Sequence, residues 1–355
     1  MLAKNKIDCA VVIPGPNLYY LTGLKMHLSK RVTCGFIPAQ GKPLFVLPAL
    51  EKPSAERTIK VEAKFFSYLD GQGMTSAFEQ VLNELKLGNK KICVEYETMR
   101  LLEFRELERY LPGVSFQRLE DTLGQLRIIK DADEIALMKK AIQITEAVLQ
   151  TTIDALRPGM TESEVARFFQ REALEQPIDG FSFAPIVVAG PNGGSPHAAP
   201  GERAISKGDL VTIDCGVFYK GYPGDITRNV AMGTIDPELE KIHQVLEEAN
   251  AAGRAACKPG VAAGEIDRIT RDVIVSAGYG EYFIHRTGHG LGLEIHEPPF
   301  IMPENMQLLQ PGMTFTIEPG IYMPQKGGAR VEDDMLITAK GVETLTKFPR
   351  ELIRK

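Results

Sequence analysis

One short motif occurs twice in this chain and limits what it can become. Thr212-Ile213-Asp214-Cys215-Gly216 returns as Thr316-Ile317-Glu318-Pro319-Gly320, each a strand-like run with an acid near its end. A second acid follows each copy in a polar, glycine-containing stretch: Asp225 after the first, Glu332 after the second. The repeat also extends upstream. Arg157-Pro158-Gly159-Met160 matches Lys258-Pro259-Gly260-Val261, and Glu164 matches Glu265, both 101 residues apart (258 − 157), while the acids are 104 apart (318 − 214). A Pro-Gly break alone is commonplace, but three features in one order at one spacing indicate a duplicated unit of about a hundred residues. Two copies predict a domain with an internal two-fold, whose equivalent strands meet near its axis.

The alternation of a strand puts Thr212 and Asp214 on one face and Val211 and Ile213 on the other, so Cys215 points away from Asp214. A lone acid at a strand end is ordinarily solvated; duplication is what moves Asp214, Asp225, Glu318 and Glu332 towards a shared role. Two matched pairs of carboxylates repel one another unless cations sit between them. His289 lies in Thr287-Gly288-His289-Gly290-Leu291-Gly292, where alternating glycines admit close backbone approach. They do not suit a helix, so His285 and His289 are not a helical zinc pair, and they do not match the dinucleotide fingerprint. Four carboxylates and an imidazole make an oxygen-rich site suited to Mn²⁺, Co²⁺, Fe²⁺ or Zn²⁺. Two such ions suggest hydrolysis.

The rest of the chain bounds this reading. Residues 1–123 alternate β-rich runs (IDCAVVI, VTCGFIP, PLFVLPAL, KFFSYL, KICVEY) with helical stretches at 75–86 and 97–110, predicting a first α/β domain. Asp131 with Glu134 predicts a capped helix running to about Leu156, and the second domain spans 124–355. The net charge of −5, without a Lys/Arg cluster, argues against nucleic acid or an anionic membrane as partner. No signal peptide and no stretch of about 20 apolar residues is evident. Five scattered cysteines read as reduced thiols of a cytoplasmic protein.

Asp214, Asp225, His289, Glu318 and Glu332, in this order and with these flanks, resemble the ligands of the pita-bread metallopeptidase family, which includes prolidase, aminopeptidase P, methionine aminopeptidase and creatinase. The resemblance covers residues from about 124 onward. The preceding α/β unit is similar to the amino-terminal domain of the prolidase, aminopeptidase P and creatinase branch. It implies an α+β chain: a smaller creatinase-like domain, then a pita-bread domain with internal pseudo-two-fold symmetry. All five ligands are kept, which disfavours creatinase. By resemblance Asp214 holds one divalent ion, His289 and Glu318 the other, and Asp225 and Glu332 bridge both, with Mn²⁺ or Co²⁺ expected before Zn²⁺ or Fe²⁺. Glu318 doubles as proton carrier. His197, in Gly194-Ser195-Pro196-His197, and His296, in His296-Glu297-Pro298, match the pocket histidines that hold substrate and stabilise the oxyanion, and Arg330 matches an arginine that supports the ligands. A homodimer is the expected assembly.

The same branch implies a small peptide substrate with proline in second position. An X–Pro bond is a tertiary amide without an N–H, so a site that pulls on the carbonyl suits it. An Xaa-Pro dipeptidase is the leading expectation and an Xaa-Pro aminopeptidase the alternative. A non-peptidase hydrolase or lyase, or a silent binding protein on this fold, are readings of another class. A dipeptidase must grip a free carboxylate, ideally with arginine. Similar dipeptidases carry one soon after the second pocket histidine, but here Pro298-Pro299-Phe300-Ile301-Met302 has none and the next basic residue is Lys326. Arg330, or an arm of a partner subunit, is left for that task.

Overall fold

The computed structural model describes residues 1–88 and 90–355, which divide into two compact units, Met1–Arg127 and Ile128–Lys355. The first is built on a six-stranded mixed sheet in the order Lys64–Tyr68, Leu44–Pro48, Cys34–Pro38, Cys9–Val12, Ile92–Val94, Phe116–Arg118. All five runs read from the sequence are strands; the sixth, Phe116–Arg118, has only three residues and no buried one, too little pattern to stand out. The helix expected over 97–110 begins at Leu101, because the chain first turns at Tyr96–Thr98, where the Met99 amide donates to the Glu95 carbonyl. Cys9, Cys34 and Cys93 are free and buried in this unit, as are Cys215 and Cys257 in the second.

The second unit opens with the helix Ala132–Ala155. Asp131 accepts from the Glu134 amide and Glu134 reaches back to the Asp131 amide, the reciprocal cap read from the sequence. The duplication is visible element by element. The helices Ala132–Ala155 and Glu162–Leu174 precede the strands Ile186–Ala189, Leu210–Cys215 and Ile226–Ala231. The helices Pro237–Ala256 and Ala263–Ser276 precede Gly288–Gly290, Thr314–Ile317 and Asp333–Thr338. Even isolated bridges repeat: Thr161 pairs with Ala204 and Ala262 with Leu308. One sheet runs Ile353–Arg354, Ile226–Ala231, Leu210–Cys215, Ile186–Ala189; the other runs Glu297–Ile301, Gly288–Gly290, Thr314–Ile317, Asp333–Thr338, Gly341–Thr344. Val148, Leu149, Val165 and Phe169 from the first helix pair pack against Val187, Val211, Ile213 and Val230 of the first sheet. Among the described residues no helix is long and apolar enough to cross a membrane.

Arg228 ties the two halves together. It is fully buried and spends its donors on the carbonyls of Thr227, Glu332, Phe348 and Pro349 and on Asp333 Oδ1 (2.8 Å). The acid-bearing hairpins of both repeats are thereby held to one side chain, whose removal leaves several acceptors unsatisfied.

The repeat also exposes an asymmetry. Thr161 caps its helix with a side-chain bond to the Glu164 amide, whereas its counterpart Ala262 has extended backbone (φ −71°, ψ 141°) and no capping side chain, although Glu265 occupies the third helical position. Ala262→Thr should recreate the cap and stabilise the protein by about 1 kcal/mol, and Thr161→Ala should cost about as much. Denaturant titration of both variants checks this.

Candidate metal centre

The strand Leu210–Cys215 lies antiparallel to Ile226–Ala231 with Asp214 opposite Thr227, and Thr314–Ile317 lies antiparallel to Asp333–Thr338 with Ile317 opposite Asp333. Each acid pair thus sits at the end of a hairpin. Asp225, His289 and Glu332, all buried, present ligand atoms within 4.8 Å of one another. Asp214 and Glu318 line the same cavity of about 660 Å³, as do His197, His296 and Arg330. The structure therefore gathers every site residue singled out in the sequence around one pocket in the second unit. His197 and His296 are exposed at its lining; the Asp214, Asp225, His289 and Glu332 side chains are buried.

Local physics explains each placement. Gly288 and Gly290 flank His289 because a side chain at either would collide with backbone: an added Cβ would lie 1.9 Å from the Thr316 carbonyl oxygen at Gly288 and 2.3 Å from that of Pro298 at Gly290. His289 is fixed by its amide, which donates to Thr316 Oγ1 (3.0 Å), and by Nδ1, 3.2 Å from the Gly290 carbonyl. A carbonyl only accepts, so the proton sits on Nδ1 and the lone pair on Nε2. Burial, then the neighbouring His296, holds His289 far below the usual histidine range, so the ring is neutral. Its Nε2 lone pair nevertheless faces Glu318 Oε1 at 3.2 Å and Asp225 Oδ2 at 3.8 Å, which brings three electron-rich atoms together.

The carboxylates show the same deficit of positive charge. Asp214 Oδ1 and Asp225 Oδ1 are buried and meet no donor among the described residues. Burial, then Glu332 and Asp214, pushes the Asp225 pKa well up; burial, then Glu318 and Asp214, does so for Glu332. Asp214 is raised by burial against the pull of Arg330, and burial lifts Glu318 to about 7. Unpaired buried acceptors, a neutral imidazole aimed at them and mutually repelling acids fit a divalent-cation site.

Behind the ligands runs a supporting network of which the sequence reading named only Arg330. Arg330 donates to Asp214 Oδ2, to Tyr322 Oη (2.7 Å) and to Thr227 Oγ1 (3.0 Å), and the Thr227 hydroxyl in turn donates a hydrogen bond to Glu332 Oε2 (2.6 Å). The Asp225 amide donates to Asp334 Oδ2 (3.0 Å), and Thr316 Oγ1 donates to Glu318 Oε1 (3.0 Å). Thr227 and Thr316 were findable, since each sits two residues from an acid on the same strand face. His285 is not simply structural or solvent-facing: it is half-buried and lines the cavity. Its Nδ1 meets the Arg286 carbonyl (2.7 Å), so Nε2 accepts from Tyr322 Oη (3.0 Å).

Comparison with known proteins agrees with this geometry. Residues 136–339 match the model of metallopeptidase family M24, and residues 1–129 match the creatinase/prolidase N-terminal domain. The chain belongs to metallopeptidase family M24 and has its pita-bread fold. It is 39% identical over 337 residues to the putative dipeptidase YkvY of Bacillus subtilis, covering 95% of this chain and 93% of that protein. Among solved structures it is similar to a dipeptidase from Pyrococcus horikoshii (TM-score 0.93, 39% identity, 100% of this chain and 98% of that one). It is also similar to a prolidase from Thermococcus sibiricus (0.94, 36%, 100% and 96%) and to an X-Pro aminopeptidase from Thermotoga maritima (0.86, 30%, 98% and 98%). With the metal-ligand cluster, this makes the protein a metallopeptidase rather than a silent binding relative.

A pH dependence follows from the raised carboxyl groups. A group whose folded pKa is raised stabilises the fold fully below its unfolded value and loses that contribution as pH rises through the folded value. For Glu318 the window runs from 4.5 to about 7. Metal-free protein should therefore lose thermal stability from pH 5 to pH 8, and divalent cations, which favour the ionised acids, should restore it. Melting curves with chelator and with Mn²⁺ test this; a gap in Tm that does not widen with pH contradicts it.

Proposed function

We propose that this protein is an Xaa-Pro dipeptidase using two divalent ions, Mn²⁺ or Co²⁺ in preference to Zn²⁺ or Fe²⁺. The observation that carries the metal reading is the unsatisfied acid cluster: Asp225, His289 and Glu332 within ligand reach, with Asp214 and Glu318 on the same cavity. Charge supports two ions. Four carboxylates against Arg330 and Arg286, which both line the pocket, leave two negative charges; one divalent ion only neutralises them, whereas two leave a positive pocket that attracts the carboxylate of a peptide.

Asp214 would hold one ion, His289 and Glu318 the other, with Asp225 and Glu332 shared. Bound there, the pair supplies Lewis acidity towards the scissile carbonyl and lowers the pKa of water. The chain's own residues do the rest. Glu318, whose Oε1 stands 3.2 Å from His289 Nε2, would take a proton from water and deliver it to the leaving nitrogen. His197 and His296 line the cavity as exposed donors: one would hold the substrate and the other steady the charge developing on the carbonyl oxygen. Arg330 is committed to Asp214, so it orients a ligand rather than gripping substrate.

The substrate class rests on the relatives, whose names include dipeptidase, prolidase and X-Pro aminopeptidase. The aminopeptidase reading stays second, supported by the Thermotoga maritima similarity. We also propose catalysis in residues 124–355, with 1–123 a non-catalytic α/β domain, since every site residue lies in the second unit. A cytoplasmic homodimer belongs to the same proposal, supported by family membership and five free buried cysteines.

A panel of Gly-Pro, Ala-Pro, Ala-Pro-Ala and non-proline peptides tests the substrate. Dipeptide cleavage is expected, and cleavage of tripeptides alone rejects the dipeptidase. Asp225→Ala and Glu332→Ala should each lose both ions by elemental analysis and lose turnover. His197→Ala should keep its metal and fall in kcat; a metal loss there would remove it from the substrate side of the pocket.

A further inference from the structure

The pocket is lined by two guanidinium groups, and they differ in one respect. Arg330 is buried and spent on Asp214, Tyr322 and Thr227. Arg286 is half-buried and has no carboxylate partner among the described residues; what holds it is the ring of Phe300, whose centroid lies 4.4 Å from its Cζ. The strands Gly288–Gly290 and Glu297–Ile301 run antiparallel with Gly288 opposite Ile301, which brings the segment before the first strand near the end of the second.

A guanidinium over an aromatic ring keeps N–H groups free, and these match the two oxygens of a carboxylate. The backbone at this position is also anchored: Arg330 donates to Tyr322, Tyr322 to His285 Nε2, and His285 Nδ1 to the Arg286 carbonyl. Burial lowers the Arg286 pKa and Glu318 opposes this, while the arginine in turn lowers His289 and His296, which places its charge beside the ligands. A cation without an ion-pair partner, kept partly out of water, is costly unless an anion visits it.

We propose that Arg286, stacked on Phe300, binds the free carboxylate of the dipeptide substrate and so sets the preference for two-residue peptides. The inference rests on the Xaa-Pro reading above. It also accounts for the missing arginine after His296: Phe300 stands in that stretch and carries the guanidinium delivered from the neighbouring strand. Arg286 would hold the carboxylate on the Phe300 side of the pocket, which leaves the scissile carbonyl towards the ligand residues.

The test compares Ala-Pro with Ala-Pro amide, which lacks the anion, on Mn²⁺-loaded protein. The wild type should favour Ala-Pro by roughly 10–100-fold in kcat/KM, the worth of a charge-assisted pair. In Arg286→Gln that ratio should collapse towards one, mainly through KM, and Arg286→Lys should restore part of it. Metal content and Tm of both variants report whether they are folded and loaded; if Arg286→Gln fails this check, the Lys variant and the wild-type ratio carry the decision. A wild-type ratio near one, or an undiminished ratio in the variant, overturns the role of Arg286 while leaving Xaa-Pro hydrolysis intact. Selective loss on Asp-Pro and Glu-Pro with Ala-Pro unaffected overturns it in favour of an acidic first residue. A wild type that cleaves neither substrate fails the Xaa-Pro reading itself.

Discussion

Negative charge brought into a poorly hydrated pocket is the constraint around which the second unit is organised. Asp214, Asp225, Glu318 and Glu332 converge where water cannot screen them, and burial raises all four in pKa. Left to themselves such groups protonate or force the strands apart. The protein meets the cost unevenly. Arg330 neutralises one equivalent and Thr227 and Thr316 hold single oxygens, yet Asp214 Oδ1 and Asp225 Oδ1 stay unsatisfied. The remaining imbalance is what gives the site its affinity for divalent cations, and it makes metal binding part of the fold's stability.

Such a site needs a rigid frame, because neighbouring acids drift apart wherever the backbone yields. Two hairpins of the duplicated unit supply that frame. Arg228 locks their carbonyls and Asp333 from within, and the Asp225 amide is tied to Asp334 across the repeat. The glycines around His289 permit strand contact too close for any side chain, which fixes the imidazole tautomer through the Gly290 carbonyl. Towards the substrate the demands relax, and His197 and His296 are exposed.

Much of this was legible in the residues. The acids were found because duplication made a pattern from groups that are individually unremarkable, and the capped helix from Asp131 followed from local hydrogen-bond chemistry. Thr227 and Thr316 could have been read from strand alternation. Arg286 could not. It precedes the histidine motif with no periodic or compositional mark, and its meaning comes from Phe300, fourteen positions away (300 − 286) and brought against it only by the folded chain. His285 was similarly opaque, since its role depends on Tyr322.

The sequence by itself determined the two-fold repeat and the acids and histidine that share one pocket, with the α+β class implied by family resemblance. The repeat and the acids follow from spacing and residue type, which are local. Only the tertiary structure decided which arginine is spent and which is free, which oxygens lack donors and which ring nitrogen faces the acids. These depend on distances between strands far apart in the chain, where a change of a few ångströms separates an ion pair from an open binding group.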